Sequence, residues 1–212
     1  MKTQIFLCIL ISILLLVISC HSNPDQISKQ YNSLAIELNN KAMEKVKNSI
    51  ALDSTARADS IKESLKMLDR AIDIDSSIIA SYSNKVSLFC ELKDYNNALK
   101  TLEKLVHLKG PNAANSILLQ GFVYEKIGKY DSANVKYNIV YRIYEEELKE
   151  NPDNINVQIN KAFLFLFLEN KSAALHAING ILTKNPNNQN ALNMRMVIGN
   201  FERNNYINDM LH

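Results

Sequence analysis

The sequence predicts an all-α protein built from a repeating pair of helices. Only 5 glycines and 4 prolines occur among its 212 residues, and no stretch alternates β-branched with polar residues as a half-buried strand does. Long segments instead place apolar residues every three or four positions, which is the pattern of amphipathic helices. A third observation, one short motif that recurs along the chain, indicates that the helices come in similar pairs.

The recurring motif has an alanine near its centre. The segment 94–99, Asp-Tyr-Asn-Asn-Ala-Leu, recurs at 129–134 and more faintly at 170–175. Its alanines are about 35 and about 41 residues apart, a period typical of two-helix repeats: Ala98, Ala133 and Ala174. A second series lies twelve residues before each alanine and continues once more: Val86, Gly121, Ala162 and Met196. We expect both series to be positions where helices pack closely.

A period near 34 residues with two helices per unit resembles the tetratricopeptide repeat (TPR). Pro111, Pro152 and Pro186 close successive units, since proline ends a helix, and the longest spacing reflects a long second helix from Tyr130 to about Glu150. The resemblance implies a TPR-like α-solenoid of antiparallel helix pairs wound as a right-handed superhelix. The array would span 26–212, with an irregular unit at about 26–76, units at about 79–112, 114–152 and 155–187, and C-terminal helices at 189–212.

The two ends of the predicted array are less regular than its middle. At the front, we expect a first helix around Gln26–Ile50, a break at 53–55 and a second helix over Ser64–Asp75. At the back, Asn190–Arg203 is predicted to be another first helix, and Tyr206 begins a short second one. These last helices are expected to cap the array.

The first twenty residues have the features of a secretion signal. A lysine precedes an apolar run, Ile5–Ile18, which Ser19 and Cys20 follow. As a helix the run would span about 21 Å, against about 30 Å for a bilayer core, so it suits a signal peptide better than a transmembrane helix. The arrangement resembles a bacterial lipoprotein signal, which implies removal of 1–19, lipidation of Cys20 and a short tether at 20–25. An uncleaved anchor and simple secretion are the alternatives.

The residue after Cys20 bears on where the lipid would lie. His21 occupies the position at which an aspartate would act as an inner-membrane retention signal. We therefore expect a protein of the cell envelope, attached to the outer membrane through its N-terminal lipid and facing the periplasm or the exterior.

The TPR resemblance also implies a binding groove. In TPR arrays the first helix of each unit lines the concave face, and its inward positions can be carried over residue by residue. The groove predicted in this way consists of Ser83, Ser87, Leu118, Phe122, Glu125, Ile159, Phe163, Leu166 and Val197. TPR domains that clamp a terminal carboxylate have lysine and asparagine where this chain has serine or apolar residues. The expected ligand is therefore a protein or peptide segment that is apolar or amphipathic.

An apolar stripe within this groove, which has a second interpretation, consists of Leu118, Phe122, Ile159, Phe163 and Leu166. A helix buried between neighbours would look the same, because the segment 162–168 is apolar on all sides. A C-terminal helix that folds back could also cover part of the stripe. If the stripe is exposed, Phe122→Glu with Phe163→Glu abolishes partner capture and leaves the fold intact.

Composition and motifs narrow the class of function. The formal net charge is only +2, with both signs interspersed, so nothing points to nucleic acid. The histidines are scattered without metal-ligand spacing, and no cofactor motif occurs. Removal of 1–19 and lipidation of Cys20 would leave Cys90 as the one free cysteine, and we expect it to be an inert thiol. The sequence thus predicts a non-enzymatic scaffold without metal or cofactor, serving protein assembly at the envelope, for example of an outer-membrane or pilus complex. The alternatives are a self-associating structural protein and an enzyme with its active site in the groove around Glu125.

Overall fold

The computed structural model describes residues 31–211 of the chain. Ten α-helices and one 3-10 turn occur in this part, and no strand. The predicted signal peptide at 1–19, the lipidation site Cys20 and the tether at 20–25 lie outside the described residues. Within 31–211, no helix combines the length and the apolar character needed to cross a membrane.

The helices follow one another with short connections. They are α1 (Ser33–Asn48), α2 (Ser54–Ile74), α3 (Ile79–Glu91), α4 (Tyr95–Lys109), α5 (Ala114–Lys126), α6 (Tyr130–Glu150), α7 (Ile155–Leu168), α8 (Lys171–Lys184), α9 (Gln189–Gly199) and α10 (Arg203–Met210). The 3-10 turn, Gly110–Ala113, precedes α5. The predicted all-α class is confirmed, and the long helix expected from Tyr130 is α6. Helix α2 begins at Ser54 rather than at Ser64, because Asp53 caps it.

The described residues form two compact bodies. The larger body comprises 31–136 together with 204–211, and the smaller body comprises 137–203. In the larger body each helix from α1 to α4 contacts the next, and α1 also contacts α3. In the smaller body α8 contacts α7, and α9 contacts both of them. In a TPR-like arrangement the helices pack in pairs, and the first helix of each pair also contacts the first helix of the next pair. The contacts of α1 with α3 and of α7 with α9 follow this pattern.

Asparagine and aspartate side chains start many of these helices. The Asp53 carboxylate accepts hydrogen bonds from the backbone amides of Thr55 at 2.9 Å and Ala56 at 3.0 Å. Side chains at the start of five other helices accept an equivalent bond: Asn32, Asp94, Asn154, Asn170 and Asn188. Such caps satisfy amides that the first helical turn leaves unpaired. The polar residues between the apolar segments therefore determine where the helices begin.

The alanines of the recurring motif are buried, as a packing role requires. Ala98, Ala133 and Ala174 are at most 1% exposed. In the second series Val86, Gly121 and Ala162 are buried as well, but Met196 is 59% exposed, so its assignment is wrong. The reason is a different register in α9, which buries the face formed by Ala191, Met194 and Ile198.

Two turns between paired helices share one backbone geometry but use different residues. The turn after α3 contains Lys93 with φ 58°, and the turn after α5 contains Gly128 with φ 76°. In both, the backbone N–H of the following residue donates to a carbonyl of the preceding helix at 2.8 Å. Glycine adopts this left-handed conformation without strain, whereas the β-carbon of lysine is crowded there.

Exchanging the side chains at these turns should change stability in opposite directions. We expect Lys93→Gly to raise the free energy of unfolding by about 1 kcal/mol and Gly128→Ala to lower it by a similar amount. A β-carbon at position 128 would meet no atom within 4 Å, so the loss would come from backbone strain alone. Urea denaturation followed by circular dichroism measures both changes.

The control is Gly180→Ala, which adds the same β-carbon into open space but within α8. We expect it to stabilise the protein by about 0.5–1 kcal/mol, because alanine favours helix more than glycine does. A Gly128→Ala variant as stable as the parent would contradict the strain argument.

Candidate functional site

The predicted groove residues of α3 form a polar surface in the larger body. Ser83 is half-buried, and its hydroxyl donates to the backbone carbonyl of Ile79 at 3.1 Å. Ser87 lies one turn further on and is exposed. Because both side chains are short, this face of α3 can accept a partner's backbone or polar side chains without first moving a large group.

The predicted groove residues of α5 are much less accessible. Phe122 is 2% exposed, Glu125 is also buried, and Leu118 is half-buried. The neighbouring Ser116, Gln120 and Val123 are buried too, so α5 is covered on more than one side.

The C-terminal helix α10 covers α5 within the larger body. The Tyr206 ring lies edge-on to the Phe122 ring, with centroids 5.9 Å apart and planes at 80°. One helical turn after Phe122, the ammonium group of Lys126 donates to the side-chain oxygen of Asn208. Ile207 and Leu211 are buried. Burial raises the pKa of Tyr206 well above its ordinary value, which agrees with a phenol held away from water.

The groove residues of α7 are buried in the smaller body. Ile159, Phe163 and Leu166 all belong to its core, and Val197 of α9 is half-buried. Phe201, just after α9, has its ring centroid 6.5 Å from that of Phe163 and 5.4 Å from that of Phe167. Both pairs are edge-to-face, a favourable geometry for aromatic rings.

Arg203 fixes the chain that follows α9 against the end of α7. Its guanidinium donates to the backbone carbonyls of Leu166 at 3.2 Å and Phe167 at 3.5 Å. The same group lies 5.2 Å from the centroid of the Phe167 ring, within the range of a cation–π contact. A cation that satisfies the last carbonyls of a helix is also favoured by the helix dipole.

Of the two interpretations of the apolar stripe, the structure supports burial. Four of its five residues are buried: Phe122, Ile159, Phe163 and Leu166. In each body the C-terminal segment provides part of the cover, through Phe201 and Arg203 in the smaller body and through α10 in the larger. The sequence signal was the amphipathic pattern of Phe201, Tyr206, Ile207, Met210 and Leu211. Partner binding by the groove residues stays a prediction.

The described residues also bear on metal and thiol chemistry. Within 31–211, no group of three or more His, Cys, Asp or Glu side chains is arranged to hold a metal ion. Cys90 is a free, buried cysteine, and burial raises the pKa of its thiol to about 11. At neutral pH the thiol is therefore protonated and a poor nucleophile.

Comparison with known proteins gives distant similarities. No protein-family model matches the chain. It is 28% identical over 119 residues to the uncharacterized protein ycf37 of Cyanophora paradoxa, covering 56% of this chain and 67% of that protein.

Among solved structures, MamA from Desulfovibrio magneticus RS-1 is 13% identical, with a TM-score of 0.46 and 86% and 91% of the two chains covered. A Podosopora anserina protein with nearly identical TPR-like repeats is 14% identical, with a TM-score of 0.48 and coverage of 83% and 90%. A TPR protein from Parabacteroides merdae is 16% identical, with a TM-score of 0.43 and coverage of 79% and 73%. The TPR-like fold is seen in the helix pairs of this chain itself.

The observed burial reverses one expectation about a double variant. Phe122→Glu with Phe163→Glu places a carboxylate at a buried position in each body, so we now expect a large loss of stability. Removing each aromatic ring alone costs about 3–5 kcal/mol, and an unpaired buried charge adds to that loss. The loss is measured as a fall in the midpoint of urea denaturation.

The matched control replaces one exposed residue in each body. Tyr130 and Met196 are 65% and 59% exposed, and Tyr130→Glu with Met196→Glu should leave the denaturation midpoint nearly unchanged. Equal stability of the two double variants would show that Phe122 and Phe163 are accessible after all.

Proposed function

We propose that this chain is a lipid-anchored scaffold that binds a protein partner at the bacterial cell envelope. Its ligand is an apolar or amphipathic segment of that partner, held by the first helices of the TPR-like pairs. The role is assembly of an envelope complex, in the outer membrane or in a pilus, and the chain does no chemistry of its own.

One observation carries the binding role. A short amphipathic helix, α10, already lies on α5 through a ring contact between Tyr206 and Phe122 and a polar contact between Asn208 and Lys126. The surface of α5 is thus suited to an amphipathic helix that offers an aromatic ring and a hydrogen-bond acceptor. Helix-in-groove recognition uses the same features, an apolar face bound in a groove with polar contacts beside it.

The face of α3 supports a binding role in a different way. Ser83 and Ser87 leave it polar and accessible, and it lies in the same body as α5.

By contrast, catalysis needs converging acids or a base with access to substrate. The one acid that the TPR positions place in the groove is Glu125, which is buried.

The envelope location rests on the N-terminal sequence. Ile5–Ile18, Ser19 and Cys20 follow the order of a lipoprotein signal, and His21 favours the outer membrane. An acylated cysteine holds a protein at a membrane because each buried methylene contributes about 0.8 kcal/mol, and stable attachment takes more than one chain.

Lipidation predicts a result that depends on one cysteine. In bacteria fed an alkyne analogue of palmitate, the full-length protein should acquire the label and sediment with membranes. Cys20→Ser should abolish both, because that thiol is the attachment point. Cys8→Ser, within the apolar run, is the matched control and should keep both. Labelling that survives Cys20→Ser would contradict the anchor while leaving the binding role open.

Partner binding predicts a position-dependent crosslink. A photo-crosslinking amino acid at Ser87, on the accessible face of α3, should crosslink a partner in living cells, and mass spectrometry should map the crosslink to an apolar or amphipathic segment. The same group at Tyr130, which is 65% exposed but lies on a second helix, is the control and should give no such product. Equal crosslinking from both positions, or a crosslinked segment without an apolar face, would overturn the proposal.

A further inference from the structure

Helix α10 has little helical stability of its own. It has eight residues, whereas isolated helices shorter than about 12–15 residues are marginal in water. Its sequence includes Asn204, Asn205 and Asn208, which are poor helix formers, and its ends have no acidic residue in the first turn and no basic residue in the last. The helix is therefore stabilised chiefly by its contacts with other helices. Its first residue, Arg203, binds the end of α7, and Tyr206 and Asn208 contact α5.

The polar contact between α10 and α5 is weaker than the contact that a charged acceptor would make at the same position. Lys126 donates to the side-chain oxygen of Asn208, a neutral amide. A carboxylate in that place would make a charge-assisted hydrogen bond, which is roughly twice as strong. The only acid in α10 is Asp209, one residue further on, which is exposed. The resident helix thus offers Lys126 an acceptor without a charge.

A partner that displaces α10 must bind better than α10 does. A segment tethered by a short connection has an effective concentration in the millimolar range, so a free helix of equal affinity would rarely replace it. A carboxylate against Lys126 is the simplest improvement, since it uses a contact already present and changes no apolar group.

We propose that the partner is an amphipathic helix with an aromatic residue facing Phe122 and a carboxylate facing Lys126, and that on α5 it replaces the part of α10 that follows Arg203. This inference rests on the proposed binding function and specifies its ligand. In the absence of the partner, α10 occupies the surface and keeps Phe122 from water. The exchange is reversible and needs no covalent change.

The test uses labelled peptides and the full chain in detergent. One peptide has the sequence of residues 200–211, and a second has aspartate in place of Asn208. Fluorescence anisotropy measures their affinities for the parent chain and for a Tyr206→Ala variant, which loses the ring contact with Phe122. We expect about tenfold tighter binding of either peptide to Tyr206→Ala, because the competing helix is released. Tyr130→Ala removes an exposed tyrosine and should bind like the parent.

The aspartate peptide tests the predicted chemistry of the partner. We expect it to bind Tyr206→Ala about fivefold more tightly than the asparagine peptide, from the extra strength of a hydrogen bond to a charged group. Adding Lys126→Met should abolish that difference. Asn208→Asp in the full chain changes only the acceptor of Lys126 and keeps the apolar contacts of α10, so the variant should fold. We expect it to weaken the binding of both peptides, because the charged acceptor holds α10 more tightly on α5.

Two results would overturn the inference. The first is that neither peptide binds the Tyr206→Ala variant, although circular dichroism shows that this variant is folded. That result would mean that α10 is only a structural cap. The second is that Asn208→Asp forms dimers in light scattering, since the surface would then exchange helices between copies of the chain. A Ser87 crosslink that survives either result would keep the binding function and reject only this ligand.

Discussion

The structure depends on one constraint, which is that a helix pair cannot bury all of its apolar surface by itself. Each pair buries one face internally at positions such as Ala98 and Ala174, where small side chains let the helices approach. The remaining apolar face must be covered by another element. Where a neighbouring pair does so, as α3 does for α1, the array continues. On α5 and α7 the C-terminal segment supplies part of the cover through Tyr206, Phe201 and Arg203.

The sequence predicted the helices well because their signals are local. Periodic apolar residues indicate each helix, and caps such as Asp53 and Asn170 determine where it starts. The repeat register was correct at Ala98 and failed at Met196, since α9 packs through a different face. Periodicity identifies an apolar face, but it does not say which of two adjacent positions points inward.

The candidate site was harder to predict, because exposure depends on residues far away in the chain. Phe122 and Phe163 fit an inward-facing stripe in sequence, and both are on the helices where TPR positions place them. Their covers, Tyr206 and Phe201, come from the last part of the chain, and nothing near Phe122 in sequence reveals that contact. A stripe that is open to partners and one that is covered by the chain's own C-terminal segment have the same local pattern.

The covered and the accessible parts of the larger body can contribute different things to binding. The serines of α3 offer hydrogen bonds worth about 0.5–1.5 kcal/mol each, and water competes for them, so they can hold a partner only weakly. Phe122 offers a buried aromatic contact of the kind that dominates binding energies, but only to a helix that takes the place of α10. In the proposed exchange, specificity resides at the covered surface, because only a ligand with both the ring and the acceptor replaces the contacts of Tyr206 and Asn208. The short, asparagine-rich sequence of α10 lowers its own helix stability, and this is the property that the proposed exchange requires.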